Sequence, residues 1–157
     1  MPVTIERIDN LRSRLAIMPA RITGIVANWS SAVLHSPRSS EGWSALEILA
    51  HLKASDDIIT PRVYSILVRD EPIFLALDER RWAEVARYTQ FDFHTLLRSF
   101  TLRRNELVQT VSHLSLADWE RYGIHEIMGP QTLFVILTLL VEHEEEHCAQ
   151  LSAIYRT

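Results

Sequence analysis

Apolar side chains recur every three or four residues along most of this chain, and that period predicts helices. The first carries Ile5, Ile8, Leu11 and Leu15 after Thr4. Pro19 interrupts the pattern, and a second amphipathic piece spans about 19–34 with Ile22, Ile25, Val26, Trp29 and Val33. Either one kinked helix or two in series is expected there. Residues 35–42 (HSPRSSEG) have the composition of a loop. Ser44-Ala45-Leu46-Glu47 then forms a capping-box pattern, in which the Ser hydroxyl and the Glu carboxylate each satisfy the other's backbone amide. It opens a helix carrying Leu46, Leu49, Ala50 and Leu52 that runs towards Val68, with a bend expected at Pro61.

Periodicity lapses over 70–92, which contains Pro72 and is long for a loop between neighbouring helices, so it is expected to cross over the bundle. Leu96, Leu97, Phe100, Leu107 and Val111 restore the helical period over 93–114. Ser115-Leu116-Ala117-Asp118 is a weaker capping box that opens a single turn through Trp119. A loop is expected over 121–129, and Pro130 is expected in the first turn of a last helix ending near Tyr155. Nothing reads as a sheet. The expectation is one all-α domain over 1–157, a four-helix bundle with a long crossover between its second and third helices.

Composition narrows the picture. Of 157 residues, 47% are hydrophobic and only four are Gly and six Pro, which argues against disorder and leaves room for a real core. The formal charge of −4 argues against nucleic-acid binding, which needs clustered Lys and Arg. A single cysteine, Cys148, forbids an intrachain disulfide and fits a reducing compartment. Residues 1–10 are charged and lack the apolar stretch of a signal peptide. The longest apolar run, 133–141, is far shorter than the roughly 20 residues a bilayer span needs. The chain is expected to be soluble and cytoplasmic, with no membrane partner.

The candidate chemistry lies in His143-Glu144-Glu145-Glu146-His147. Histidines four apart share one helix face and can ligate one transition metal with little loss of freedom. They follow Leu133, Ile136, Leu137 and Leu140, and Gln150, Leu151 and Ile154 continue that broad face, so both rings lean towards the interior. There an unpaired imidazole is costly and a ligated one is satisfied. His51, between Ala50 and Leu52 on the capped helix, is the strongest third ligand, with Glu47, Ser55 and Asp56 placed to orient it. Three neutral imidazoles plus open positions describe a catalytic-type site for zinc, nickel or iron(II). His35, His94, His113 and His125 are expected at the surface, His125 keeping a minor claim because its loop enters the last helix. The acidic residues 142–146 would favour a cation.

The same string matches the zinc-protease motif H-E-x-x-H, with Glu144 as base. The extended protease form needs Gly at position 150 and His at 153, where this chain has Gln150 and Ala153, so that reading is set aside. Cys148 points about 100° around the helix from His147 and is expected to pack rather than react. Trp29, Trp43, Trp82 and Trp119 read as core or interface packing residues, with a substrate wall open as an alternative only for those near the metal end.

The segments 43–52 (WSALEILAHL), 129–133 (GPQTL) and 143–151 (HEEEHCAQL) together resemble the DinB-like superfamily, which includes YfiT-like metal hydrolases. The likeness extends through 62–67, Glu71-Pro72, Asp78 and 114–122, covering most of 19–151. The resemblance implies a four-helix bundle with the long crossover, often as a homodimer. It also implies a divalent metal, usually zinc or nickel, held by His51, His143 and His147 with water completing the shell. Relatives include hydrolases, transferases using low-molecular-weight thiols such as bacillithiol or mycothiol, and a thiol-dependent isomerase. The expected activity is thus hydrolysis or thiol transfer on a small molecule, with Glu47 or a nearby acid as the base. The alternative is a metal-binding stress-response module without turnover.

Overall fold

The computed structural model describes residues 2–37 and 42–154. The bundle comprises four long helices, α1 (Ile5–Val26), α3 (Ala45–Val68), α5 (Phe93–Ser112) and α7 (Leu133–Ile154). α1 and α3 each pack against both α5 and α7, so α1 faces α3 across the diagonal. Leu15, Met18, Ile48, Leu49, Phe100, Leu107, Leu137 and Leu151 meet between them and are buried. The short α2 (Ser31–His35) lies against α3, and α6 (Leu116–Glu120) lies against α7. No helix among the described residues is long and apolar enough to cross a membrane.

Local signals place the helix starts. Thr4 caps α1 by accepting from the Arg7 amide, and Ser44 with Glu47 forms the expected capping box on α3. Ser115 and Asp118 form the second box, on α6. Pro19 and Pro61 lie inside continuous helices. Proline has no N–H, so Pro19 leaves the Leu15 carbonyl without its helical donor. Arg104 Nη1 from α5 supplies one at 3.4 Å. The expected loop 35–42 lies partly outside the described residues, as does the expected helix end at Tyr155.

The sheet was not foreseen. β1 (Ile73–Phe74), β2 (Tyr122–His125) and β3 (Gly129–Thr132) pair in the order β1-β2-β3, parallel then antiparallel. The 121–129 segment is therefore half of a hairpin, and Gly129 turns it with φ +72, a left-handed conformation that glycine adopts without strain. Pro130 sits in β3 rather than in the first turn of α7. Proline is tolerated there because β3 is an edge strand. The crossover is pinned to this hairpin: the Ile124 amide donates to Pro72 O (2.8 Å) and the Glu126 amide to Phe74 O (3.0 Å). Close approach demands Gly123, since a Cβ there would lie 2.2 Å from Phe74 Cε2. The rest of the crossover folds as α4 (Glu79–Val85), packed on α3, and a 3-10 turn (Tyr88–Gln90).

Candidate metal centre

The three histidines converge. His51 stands in the second turn of α3, whose start is fixed by the capping box, and His143 and His147 stand one turn apart on α7. His51 Nε2 is 2.9 Å from His143 Nε2, and His147 Nε2 is 3.1 Å from the same atom. The three ligand atoms lie within 4.8 Å of one another. His51 is buried, and the other two are half-buried. Nitrogen atoms facing each other this closely need a proton or a cation between them. A tetrahedral zinc with bonds of about 2.0–2.1 Å would set such nitrogens roughly 3.3 Å apart, so the donor set fits one.

Electrostatics favour the neutral form of His51 and His143. Burial, reinforced by the neighbouring His147, His143 and Arg80, lowers the His51 pKa to about 4. Burial first, then His147, lowers His143, against a smaller opposing pull from Glu79 and Glu146. Neutral imidazole is the form that ligates. His147 Nδ1 lies 2.8 Å from Gln150 Oε1, an acceptor that holds the proton on Nδ1 and frees the Nε2 lone pair. The indole of Trp43 lies parallel to His147 at 5.8 Å and edge-on to His51 at 5.1 Å, with the Arg80 guanidinium 5.1 Å over its own ring. Trp43 is therefore the tryptophan at the metal end; Trp29 and Trp119 are core residues.

The residues expected to orient His51 are occupied elsewhere. Glu47 Oε2 accepts from the Ser44 amide and hydroxyl, and Ser55 Oγ donates to the His51 carbonyl. Asp56 is turned to Arg104, and His51 Nδ1 is buried without a hydrogen-bond partner among the described residues. The acidic run does not surround the site as a unit. Glu144 points into the core, Glu145 pairs with Arg14 of α1 at 2.7 Å, and Glu142 and Glu146 are exposed. Cys148 is buried with Sγ 3.5 Å from Met18 Sδ, and burial raises its pKa to about 11, as befits packing.

Two features near the site escaped the sequence reading. One is a fully buried charge cluster that includes Glu144, the residue after His143. Arg104 Nη2 donates to Asp56 Oδ1 (2.8 Å) and to Glu144 Oε1, and Nη1 donates to Glu144 Oε2 (2.8 Å). With the Leu15 carbonyl, one guanidinium touches all four long helices. A signal existed: Leu97, Phe100, Arg104, Leu107 and Val111 form one stripe, and the charge falls on a core position. The other feature is His125, expected at the surface but buried on β2, because the unforeseen hairpin folds it inward. His35, His94 and His113 are exposed as expected.

Two cavities flank the triad. The larger, about 450 Å³, is lined by His143, His125, Gln131, Arg62 and Glu79 together with an apolar wall that includes Ile58, Ile136 and Leu140. The smaller, about 190 Å³, is lined by His51, Trp43, Glu47, Arg80, Glu84 and Thr89.

A bundle with two long helices contributing a convergent histidine triad defines a class, the helical proteins with a transition-metal-type donor set at one end. The family model of the DinB superfamily matches residues 14–151, and the chain belongs to that superfamily. Among solved structures it is similar to YfiT from Bacillus subtilis, described as a probable metal-dependent hydrolase with an unusual four-helix bundle topology. The two share 22% identity with a TM-score of 0.88, over 98% of this chain and 89% of that one. At that identity the likeness establishes the fold. None of the curated proteins compared with the chain matches it.

Proposed function

We propose that the protein is a metal-dependent hydrolase of a small molecule, with one divalent transition metal ion, zinc or nickel before iron(II), held by His51, His143 and His147. The observation that carries this reading is the approach of His51 Nε2 and His147 Nε2 to His143 Nε2, at 2.9 and 3.1 Å. The description of YfiT as a probable metal-dependent hydrolase supports it. Such an ion, when bound, acidifies water and polarises a substrate oxygen. The chain supplies the remaining requirements. Burial keeps His51 neutral, Gln150 fixes the tautomer of His147, and Trp43 covers one side of the triad. The larger cavity offers the substrate a space that borders His143.

The test is elemental analysis of protein purified without a His tag, followed by zinc and nickel titration and an ester and amide hydrolysis panel. One equivalent of metal is expected, and metal-dependent turnover should follow. His51→Ala, His143→Ala and His147→Ala should each weaken the metal more than the roughly 10–100-fold that loss of an outer partner costs. Unchanged metal content in all three variants would remove the proposal. Turnover that requires an added low-molecular-weight thiol would replace the hydrolase with a transferase.

A further inference from the structure

The hairpin places a hydrogen-bond donor in the larger cavity, and its tautomer is set by the backbone. His125 Nδ1 accepts from the amides of Ile127 (3.2 Å) and Met128 (3.3 Å) at the hairpin turn. A nitrogen that accepts from two amides carries a lone pair, so the ring proton resides on Nε2. No acceptor among the described residues takes that Nε2–H. The ring is only 8% exposed and lines the cavity that His143 borders. A donor facing that cavity is met by water until a ligand with an acceptor displaces it.

The other lining groups narrow the ligand's chemistry. Ile58, Ile136, Leu140 and Met128 make the walls apolar. Arg62 and Glu79 line the same space with opposite charges, and Arg62 is already engaged by the Leu75 carbonyl (2.7 Å) and the Phe74 ring (5.6 Å). The lining thus carries no surplus charge to balance a ligand anion. Gln131, 9% exposed, adds a second polar side chain, its amide resting on Met128 Sδ at 3.7 Å. The volume falls within the ~300–1,000 Å³ of small-molecule sites, which pair apolar walls with a few fixed polar groups.

We propose that this cavity binds an uncharged, largely apolar small molecule through one carbonyl-type oxygen, which accepts from His125 Nε2–H. The assignment rests on the hydrolase reading, because it makes this ligand the substrate and sets its body beside His143. His125 is then a substrate-contacting residue, distinct from the three proposed ligands.

The test uses two probes of matched shape, butyrophenone and butylbenzene, which differ by a carbonyl in place of a methylene. Binding is followed by two-dimensional NMR on the zinc-loaded and the metal-free protein, so that direct contact with the ion is separated from contact with His125. His125→Asn is the informative variant: its side-chain oxygen can still accept from the turn amides, while the Nε2–H is gone. His125→Phe removes both roles.

Wild-type protein should favour butyrophenone by about three- to tenfold, the worth of one hydrogen bond. In His125→Asn that preference should fall to about one, with butylbenzene and zinc affinities unchanged. The proposal is overturned if neither probe binds, if the two bind equally to wild type, or if the preference survives in His125→Asn. Tighter binding of 4-phenylbutanoate than of butyrophenone to the metal-free protein would also overturn it, since the lining itself would then favour an anion. A carbonyl preference that follows His125 in a protein unable to hold metal would uphold the binding site while removing the hydrolase reading and, with it, the ligand's role as substrate.

Discussion

Replacing Arg104 by Met removes the only cation from a cluster in which Asp56, Arg104 and Glu144 are all 0% exposed. Two carboxylates are then left in the core facing each other. Breaking a buried ion pair from one side costs about 3–5 kcal/mol. A ceiling follows from protonation: keeping a carboxyl neutral at pH 7 costs about 4 kcal/mol, at roughly 1.4 kcal/mol per pH unit above a pKa near 4. Two neutral carboxyls therefore set an upper bound of about 8 kcal/mol. Against the ~5–15 kcal/mol of a typical domain, Arg104→Met should be severely destabilised at neutral pH.

The pH dependence of that variant distinguishes stranded charge from simple loss of packing. Burial already pushes the Asp56 and Glu144 pKa values up, and without the guanidinium nothing opposes it at Glu144 and only Lys53 opposes it at Asp56. The folded variant then holds protons that the unfolded chain releases, so its stability falls as pH rises above about 4. From pH 7 to pH 5 the deficit relative to wild type should shrink by about 1.4 kcal/mol per unit for each neutral carboxyl. Urea unfolding at both pH values measures this. The triple variant Arg104→Met, Asp56→Leu, Glu144→Leu should recover most of the loss, because an apolar cluster has no charge to strand. A deficit under about 1 kcal/mol, or one that does not change between pH 7 and pH 5, would refute the reasoning.

Three further outcomes are expected. Gln150→Leu should weaken zinc binding by roughly tenfold in a competition titration, because His147 loses the acceptor of its Nδ1 proton. Gly123→Ala should cost about 1–3 kcal/mol in thermal or urea unfolding, since the added methyl meets the Phe74 ring and the Pro72 carbonyl. The metal-free protein should lose stability as pH falls from about 6.5 towards 4: His51, with a folded pKa of about 4, resists the proton that the unfolded chain takes up. That loss should be smaller in His51→Phe, and equal pH profiles for the two proteins would contradict it.

The four helices and their starts were legible because each signal is local. The Ser44 and Ser115 boxes act over three residues, and the apolar stripes repeat within a turn or two. The triad was legible because His143 and His147 are one turn apart, and His51 belongs to a motif with its own start signal. The sheet was not, because its strands are two to four residues long and β1 pairs with a strand some fifty residues away. Gly123, Gly129 and Pro130 also weaken any strand pattern. His125 was misplaced for the same reason. Asp56 was read as a partner for His51, since a helix projection places it nearby but does not show that Arg104 claims it from another helix. Pro19 leaves either one kinked helix or two in series open; the helix is continuous, and the Leu15 carbonyl that Pro19 orphans is supplied by that same guanidinium.

The first turn of α4 separates the two cavities beside the triad. Glu79 and Arg80 are adjacent in the chain, yet Glu79 lines the larger space next to His143 and Arg80 the smaller one next to His51. That turn is a shared partition, with Asp78 fastening its end through the amides of Arg80 and Arg81. Volume gained on one side by shifting it is taken from the other. Attempts to widen the apolar chamber for bulkier compounds should therefore begin at Met128 or Leu139, which line the larger cavity and not the room beside His51.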